Sequence, residues 1–133
     1  MLRRSDRVDN GQWAEAKVRR LLEQQGWRCE ACRWQCRYGE LDLVLSKGEG
    51  SQRCLLVVEV KSRRRRGLDG WGAASVTRAK RQKLAKAMAC WQAEQPWHAA
   101  CFIRVVVALV PLPPCQDDVT WIAIDELPDQ CRD

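Results

Sequence analysis

The chain has 133 residues, 46% of them hydrophobic, which fits one domain and is too apolar for a disordered chain. Its net charge of +6 and pI of about 9.1 favour an anionic partner, nucleic acid before membrane. The longest apolar run, Ala99 to Val110, is short and interrupted by Arg104, which excludes a helical membrane span there.

In chain order, Met1 to Asn10 is polar and carries no apolar export signal, so a cytoplasmic protein is expected. Asn10 can cap a helix that Gly26 ends. Between them Ala14, Val18, Leu21 and Leu22 share one face at helical spacing. Trp27 to Trp34 reads as a strand. Leu41 to Leu45 is apolar at alternate positions, with Asp42 between them. Ser46 to Arg53 is a polar, glycine-bearing turn. Cys54 to Lys61 contains Leu55, Leu56, Val57 and Val58 in a row, the pattern of a strand buried on both faces. The two strands about this turn predict a hairpin. Arg63 to Gly70 is a basic loop. A second helix is predicted from about Val76 to Gln95, with the stripe Leu84, Ala87, Met88 and Trp91. Phe102 to Val110 is a further buried strand, broken by Pro111, Pro113 and Pro114, and Val119 to Ile124 is one more. The order of helix, strands, helix and strand predicts an α/β sandwich around a mixed sheet.

Two acids and a lysine stand out against this frame. Glu59 and Lys61 fall on one face of their strand, about 7 Å apart, with Leu55 and Val57 as companions. Burying an unpaired carboxylate is costly, so a cation, a metal ion or a place at the sheet's rim must compensate Glu59. If the turn is centred between Gly50 and Ser51, Leu45 faces Leu56 and Asp42 faces Glu59. Directly opposed carboxylates about 5 Å apart repel unless they share a cation. Mg²⁺ or Mn²⁺ suits such a pair, because hard ions take one or two carboxylates and fill the remaining positions with water and phosphate oxygens. Lys61 beside them can orient or help deprotonate a water and balance phosphate charge. Glu15 lies at the edge of the first helix's apolar face, from which a carboxylate can reach over the sheet. By spacing alone, a solvated glutamate is the simpler reading. An acid-x-lysine triplet alone carries little, and an edge-strand ion pair explains it equally. The weight rests on a Gly-Glu-Leu-Asp-Leu strand, a polar turn, and an apolar strand ending Glu-Val-Lys.

The segments Gly11-Gln12-Trp13-Ala14-Glu15, Arg37 to Val44, and Val57 to Arg63, followed by Val76, Lys80 and Leu84, resemble the YraN-like proteins. These are also called uncharacterised protein family 0102, within the PD-(D/E)xK nuclease superfamily. The resemblance runs from about Gly11 to Val110. It implies a restriction-endonuclease-like α/β/α sandwich with a central mixed β-sheet, and kinship with Holliday-junction resolvases. In that pattern Asp42 and Glu59 hold the metal, Lys61 serves the water, and Glu15 is the helix-borne acid. Arg104 stands where the family often has an acid, so the late strand receives no catalytic role.

The run Lys61 to Arg66 places Arg63, Arg64, Arg65 and Arg66 where the catalytic strand ends, and phosphate contact is favoured over a solvated loop. Lys80 lies on the apolar stripe and in the first helical turn, where the macrodipole disfavours a cation. A bound phosphate would offset this, and a snorkelling lysine explains it equally. Cys29, Cys32 and Cys36 have a ligand-like C-x₂-C-x₃-C spacing, with Cys54 or Cys131 as the further candidates. A strand there would send Cys29 and Cys32 to opposite faces, so small core residues are the favoured reading. Without an export signal the cysteines read as free thiols or ligands, not disulfides. His98 is the one histidine, and most of the seven tryptophans read as core.

The expectation is a divalent-metal-dependent nuclease acting on DNA more readily than RNA, with branched or processed structures among the candidate substrates. The core spans about residues 10–110, followed by a proline-rich, acidic tail. A homodimer is left open. The alternatives are a non-catalytic nucleic-acid-binding module and an interaction protein whose basic face binds an acidic partner.

Overall fold

The computed structural model describes residues 4–63, 77–95, 102–113 and 118–124, with side chains described from residue 10 onward and, in the third strand, as far as Ser62. Helix α1 spans Arg4–Gln24, six residues earlier than Asn10 would start it. Asn10 and Gly11 lie inside the helix, because such residues cost a helix about 1 kcal/mol or less each, too little to stop it. Gly26 ends it as the sequence predicts. At a φ of +95° it lets Trp27 donate to the Leu22 carbonyl at 3.1 Å while its own N–H reaches Glu23 at 3.1 Å, which satisfies two terminal carbonyls.

Strands β1 (Arg28–Cys36), β2 (Gly39–Lys47) and β3 (Cys54–Arg63) follow. Then come α2 (Arg78–Glu94), β4 (Phe102–Pro111) and β5 (Thr120–Ile124). The five strands form one mixed sheet in sequence order. Only β3 and β4 run parallel. Parallel neighbours need a long crossover, and α2 lies within it. The β2–β3 hairpin has the predicted register, Leu45 opposite Leu56. Its turn needs Gly48, whose φ is +88° and where a Cβ would stand 2.6 Å from the Gln52 carbonyl oxygen.

Each helix covers one face of the sheet. Ala14, Val18 and Leu22 of α1 pack on Leu43, Leu45, Leu56, Val58, Ala108 and Val110. Leu84, Ala87, Met88 and Trp91 of α2 pack on Leu55, Val57, Val105, Val107 and Leu109 on the other side. The unbroken apolar run in β3 is thereby explained, since its alternate residues feed two cores. No helix among the described residues is long and apolar enough to cross a membrane.

One expectation about β1 is overturned. A bulge between Cys29 and Ala31 shifts the register, so Cys29 pairs with Leu45 and Cys32 with Leu43. Paired residues share a face, and Leu43 and Leu45 both face α1, so Cys29 and Cys32 point the same way. Cys36 packs against the core under α2 instead, and the three thiols do not converge.

Candidate active site

The site begins where β2 and β3 part. Their pairing ends at Leu43 opposite Val58, one residue short of Asp42 and Glu59. Beyond it β2 continues paired with β1, and β3 with β4. The Val60 N–H, in place of a ladder bond to β2, is donated to Asp42 Oδ2 at 2.8 Å. That bond anchors the Asp42 carboxylate against the next strand.

Glu59 stands beside it on the face that α2 covers. It is only 9% exposed, and no donor reaches its Oε1. Burial first, and then the neighbouring Asp42, raise its carboxyl to about 8, with Lys61 and Lys80 opposing the shift. The two carboxyl groups are close enough to share a proton. Asp42 is raised as well, first by burial, against the Val60 N–H, with Glu15 and Glu40 adding to the rise. Two desolvated acids side by side, one with a buried oxygen lacking any donor, form a site with a deficit of positive charge.

Lys61, two residues along β3, and Lys80, from the first turn of α2, supply part of that charge. Thr77 caps α2 by accepting the Lys80 N–H at 3.2 Å, which fixes where the Lys80 side chain leaves the helix. The neighbouring Lys61 ammonium, followed by partial burial, lowers Lys80, while Glu59 and Asp42 oppose the shift. Glu59 and Lys80 together line a cavity of about 130 Å³, with Tyr38, Glu40 and Lys83 on its walls.

Asp42, Glu59, Lys61 and Lys80 therefore come together, although Asp42 and Lys80 lie far apart in sequence. Glu15 sits apart from that group. Its Oε2 accepts Arg33 Nε at 2.7 Å, with Glu15 18% and Arg33 46% exposed, while its charge still reaches Asp42. Arg33 holds a left-handed φ of +48°, which the local sequence does not announce. Arg104 is exposed on β4 opposite Leu56, three positions from the residue facing Glu59 and so about 10 Å along the strand. Arg63 closes β3, its side chain outside the described residues, as are Arg64, Arg65, Arg66, His98 and Cys131. Sequence reasoning does not single out Tyr38, Glu40 or Lys83. Lys83 has a signal, since it lies one helical turn from Lys80.

The donor set fits a hard divalent ion. Asp42 and Glu59 offer carboxylate oxygens, one lacking a donor, and Mg²⁺ or Mn²⁺ is ordinarily held by one or two protein carboxylates. Among the described residues no group of three or more acids, cysteines or histidines gathers for a metal, so the other positions would fall to water and substrate oxygens.

Comparison with known proteins matches residues 14–110 to the uncharacterised protein family UPF0102. A UPF0102 protein of Prochlorococcus marinus (strain MIT 9313) is 49% identical over 122 residues, covering 92% of this chain and 94% of its own length. One from strain MIT 9303 is 51% identical over 117 residues, covering 88% and 90%. One from Synechococcus sp. (strain CC9902) is 42% identical over 117 residues, covering 88% and 93%.

Proposed function

The chain belongs to uncharacterised protein family UPF0102, and on that footing we propose that it is a divalent-metal-dependent nuclease hydrolysing phosphodiester bonds in nucleic acid, DNA before RNA. One observation carries the reading: the buried, donorless Glu59 oxygen beside Asp42, at the point where two strands diverge, with Lys61 and Lys80 against it. Burial and the adjacent Asp42 keep a proton on Glu59 up to about pH 8. A divalent cation bound by the pair would replace that proton, and the basic neighbours suit phosphate. The order of helix, antiparallel hairpin strands, helix and parallel strand supports the restriction-endonuclease-like reading of the fold.

Asp42 and Glu59 would hold Mg²⁺ or Mn²⁺, which when bound supplies Lewis-acid polarisation of a phosphodiester and acidification of water. Asp42 is kept in place by the Val60 N–H, so its carboxylate need not reorganise. Lys61 orients the attacking water and offsets phosphate charge. Lys80 approaches from α2 and binds a non-bridging phosphate oxygen, which offsets its repulsion with Lys61. Glu15 serves as a supporting acid whose charge reaches Asp42 from the opposite helix.

The test is incubation of purified protein with Mg²⁺ or Mn²⁺ and a panel of linear, single-stranded, flapped and four-way DNA, with matching RNA. Cleavage that EDTA and Asp42→Ala both abolish is expected. Binding without cleavage of any substrate under either metal would replace the nuclease with a non-catalytic binding module.

A further inference from the structure

Lys80 is the first of three lysines at three-residue spacing on α2, followed by Lys83 and Lys86. Residues three apart are neighbours on a helix surface, so these form one stripe about 9 Å long. Lys83 and Lys86 are exposed, and Lys83 lines the cavity that Glu59 and Lys80 share. Across from the stripe, the β1–β2 turn carries Arg37 and Tyr38. The Arg37 guanidinium donates from Nη2 to the Tyr38 hydroxyl and lies 4.7 Å from the ring centre. The Lys86 ammonium lies 5.6 Å from the same ring. One tyrosine thus holds together two cations that come from different elements.

Among the described residues, none of these four cations forms an ion pair with a carboxylate, unlike Arg19 with Glu23 and Arg33 with Glu15. Glu40 and Glu59 line the cavity with Lys80 and Lys83, and Arg37 and Lys86 lie beside it on the Tyr38 ring, which also lines it. Gathering like charges on one wall is unfavourable unless an anion lies between them. The helix start adds to this, since its free N–H groups favour negative charge. Glu59, nine-tenths buried, with a donorless oxygen and lining the same cavity, fixes which end of the stripe adjoins the reaction centre.

We propose that Lys80, Lys83, Lys86 and Arg37, the last two held on Tyr38, form a phosphate-binding track that leads one nucleic-acid strand into the Asp42–Glu59 centre. The track begins at Lys80 beside the acids and runs along α2 toward its C-terminal end. Its length of about 9 Å is longer than one nucleotide step along a strand, so two consecutive phosphates can be gripped. This inference deepens the nuclease reading and rests on it for the position of the scissile bond, but the track itself requires only binding.

The measurement is fluorescence anisotropy of a labelled twelve-nucleotide single strand, in EDTA so that nothing is cleaved, over a range of salt. Double replacement Lys83→Ala/Lys86→Ala should weaken binding at least about tenfold. It should also make the slope of log affinity against log salt shallower by about 1.4, the release expected for two single-strand phosphates. Lys83→Arg/Lys86→Arg should restore the slope, which a merely structural loss would not allow. An alanine variant with wild-type affinity and slope overturns the track, as does a wild type that binds no oligonucleotide. If the wild type binds through this track yet never cleaves with Mg²⁺ or Mn²⁺, the track stands and the nuclease reading falls. If it cleaves, and the alanine variant binds and cleaves like wild type, the track alone falls.

Discussion

Asp42 accepts the Val60 N–H at 2.8 Å from across the point where β2 and β3 separate. The same bond that ends the hairpin ladder therefore places one acid of the site. Glu59 precedes Val60, so the position of one carboxylate and the backbone carrying the other are set by a single hydrogen bond. Any ion held by the pair meets an arrangement already built.

Metal affinity should rise with pH. Glu59 is raised to about 8, and Asp42 is raised in the same direction, so below pH 8 an incoming cation must displace a proton. Calorimetric titration with Mn²⁺ should show the affinity climbing by about tenfold per pH unit between about pH 6 and 8 for one displaced proton, then levelling. Asp42→Ala and Glu59→Ala should each abolish the binding. Wild-type affinity in both variants would place the metal elsewhere.

Without a divalent ion, stability should fall as pH rises. The folded Glu59 keeps its proton up to about pH 8, whereas an unstrained glutamate releases it near 4.5. The folded state thus holds the extra proton between those values, and stability declines through that window and levels above it. Glu59→Gln removes the charge while nearly keeping the shape. In EDTA at about pH 8 its melting temperature should exceed that of wild type by about 5 °C or more, corresponding to a gain of at least about 1 kcal/mol. Equal melting temperatures would mean that Glu59 is compensated in a way the site geometry does not show.

Lys61→Ala should separate catalysis from binding. Asp42 and Glu59 remain to hold the ion, and Lys80, Lys83 and Lys86 remain to hold phosphate. Oligonucleotide binding should survive, weaker by about one phosphate interaction, while cleavage falls by roughly 10² or more, the usual scale for removal of an acid–base group. Circular dichroism should be unchanged, since Lys61 lies outside both apolar clusters. Cleavage at the wild-type rate would remove Lys61 from the mechanism.

Gly48→Ala should destabilise the protein by about 1–3 kcal/mol, the usual scale for backbone strain. The new Cβ would meet the Gln52 carbonyl oxygen at 2.6 Å in a backbone conformation that side chains rarely adopt. Urea unfolding measures this directly. Because the turn sets the register that brings Asp42 to Glu59, Mn²⁺ binding should weaken in the same variant. Unchanged stability would mean that the turn relaxes without shifting β2 against β3.

Much of this architecture is local and therefore readable. Strand alternation and the consecutive apolar run in β3 follow from backbone geometry, and the turn length between the hairpin strands sets Leu45 opposite Leu56. Asp42, Glu59 and Lys61 can be placed by counting residues. Counting fails for Cys29 and Cys32, because a bulge adds one residue to one strand without a mark in composition. It fails also for Asn10, whose capping preference is too weak to stop a helix that begins at Arg4.

The sequence by itself determined the alternation of elements and the spacing of Glu59 with its lysine, because each depends on a rise or a period within one segment. The hairpin register depends on where the turn is centred, which the structure fixed. Tertiary structure alone decided that Lys80 reaches Lys61, that Arg33 takes Glu15, that Tyr38 joins Arg37 to Lys86, and that Glu59 loses its water. Those outcomes depend on how α1 and α2 seat on opposite faces of the sheet. Desolvation and charge proximity are summed over every element around a group, and no local period encodes that sum.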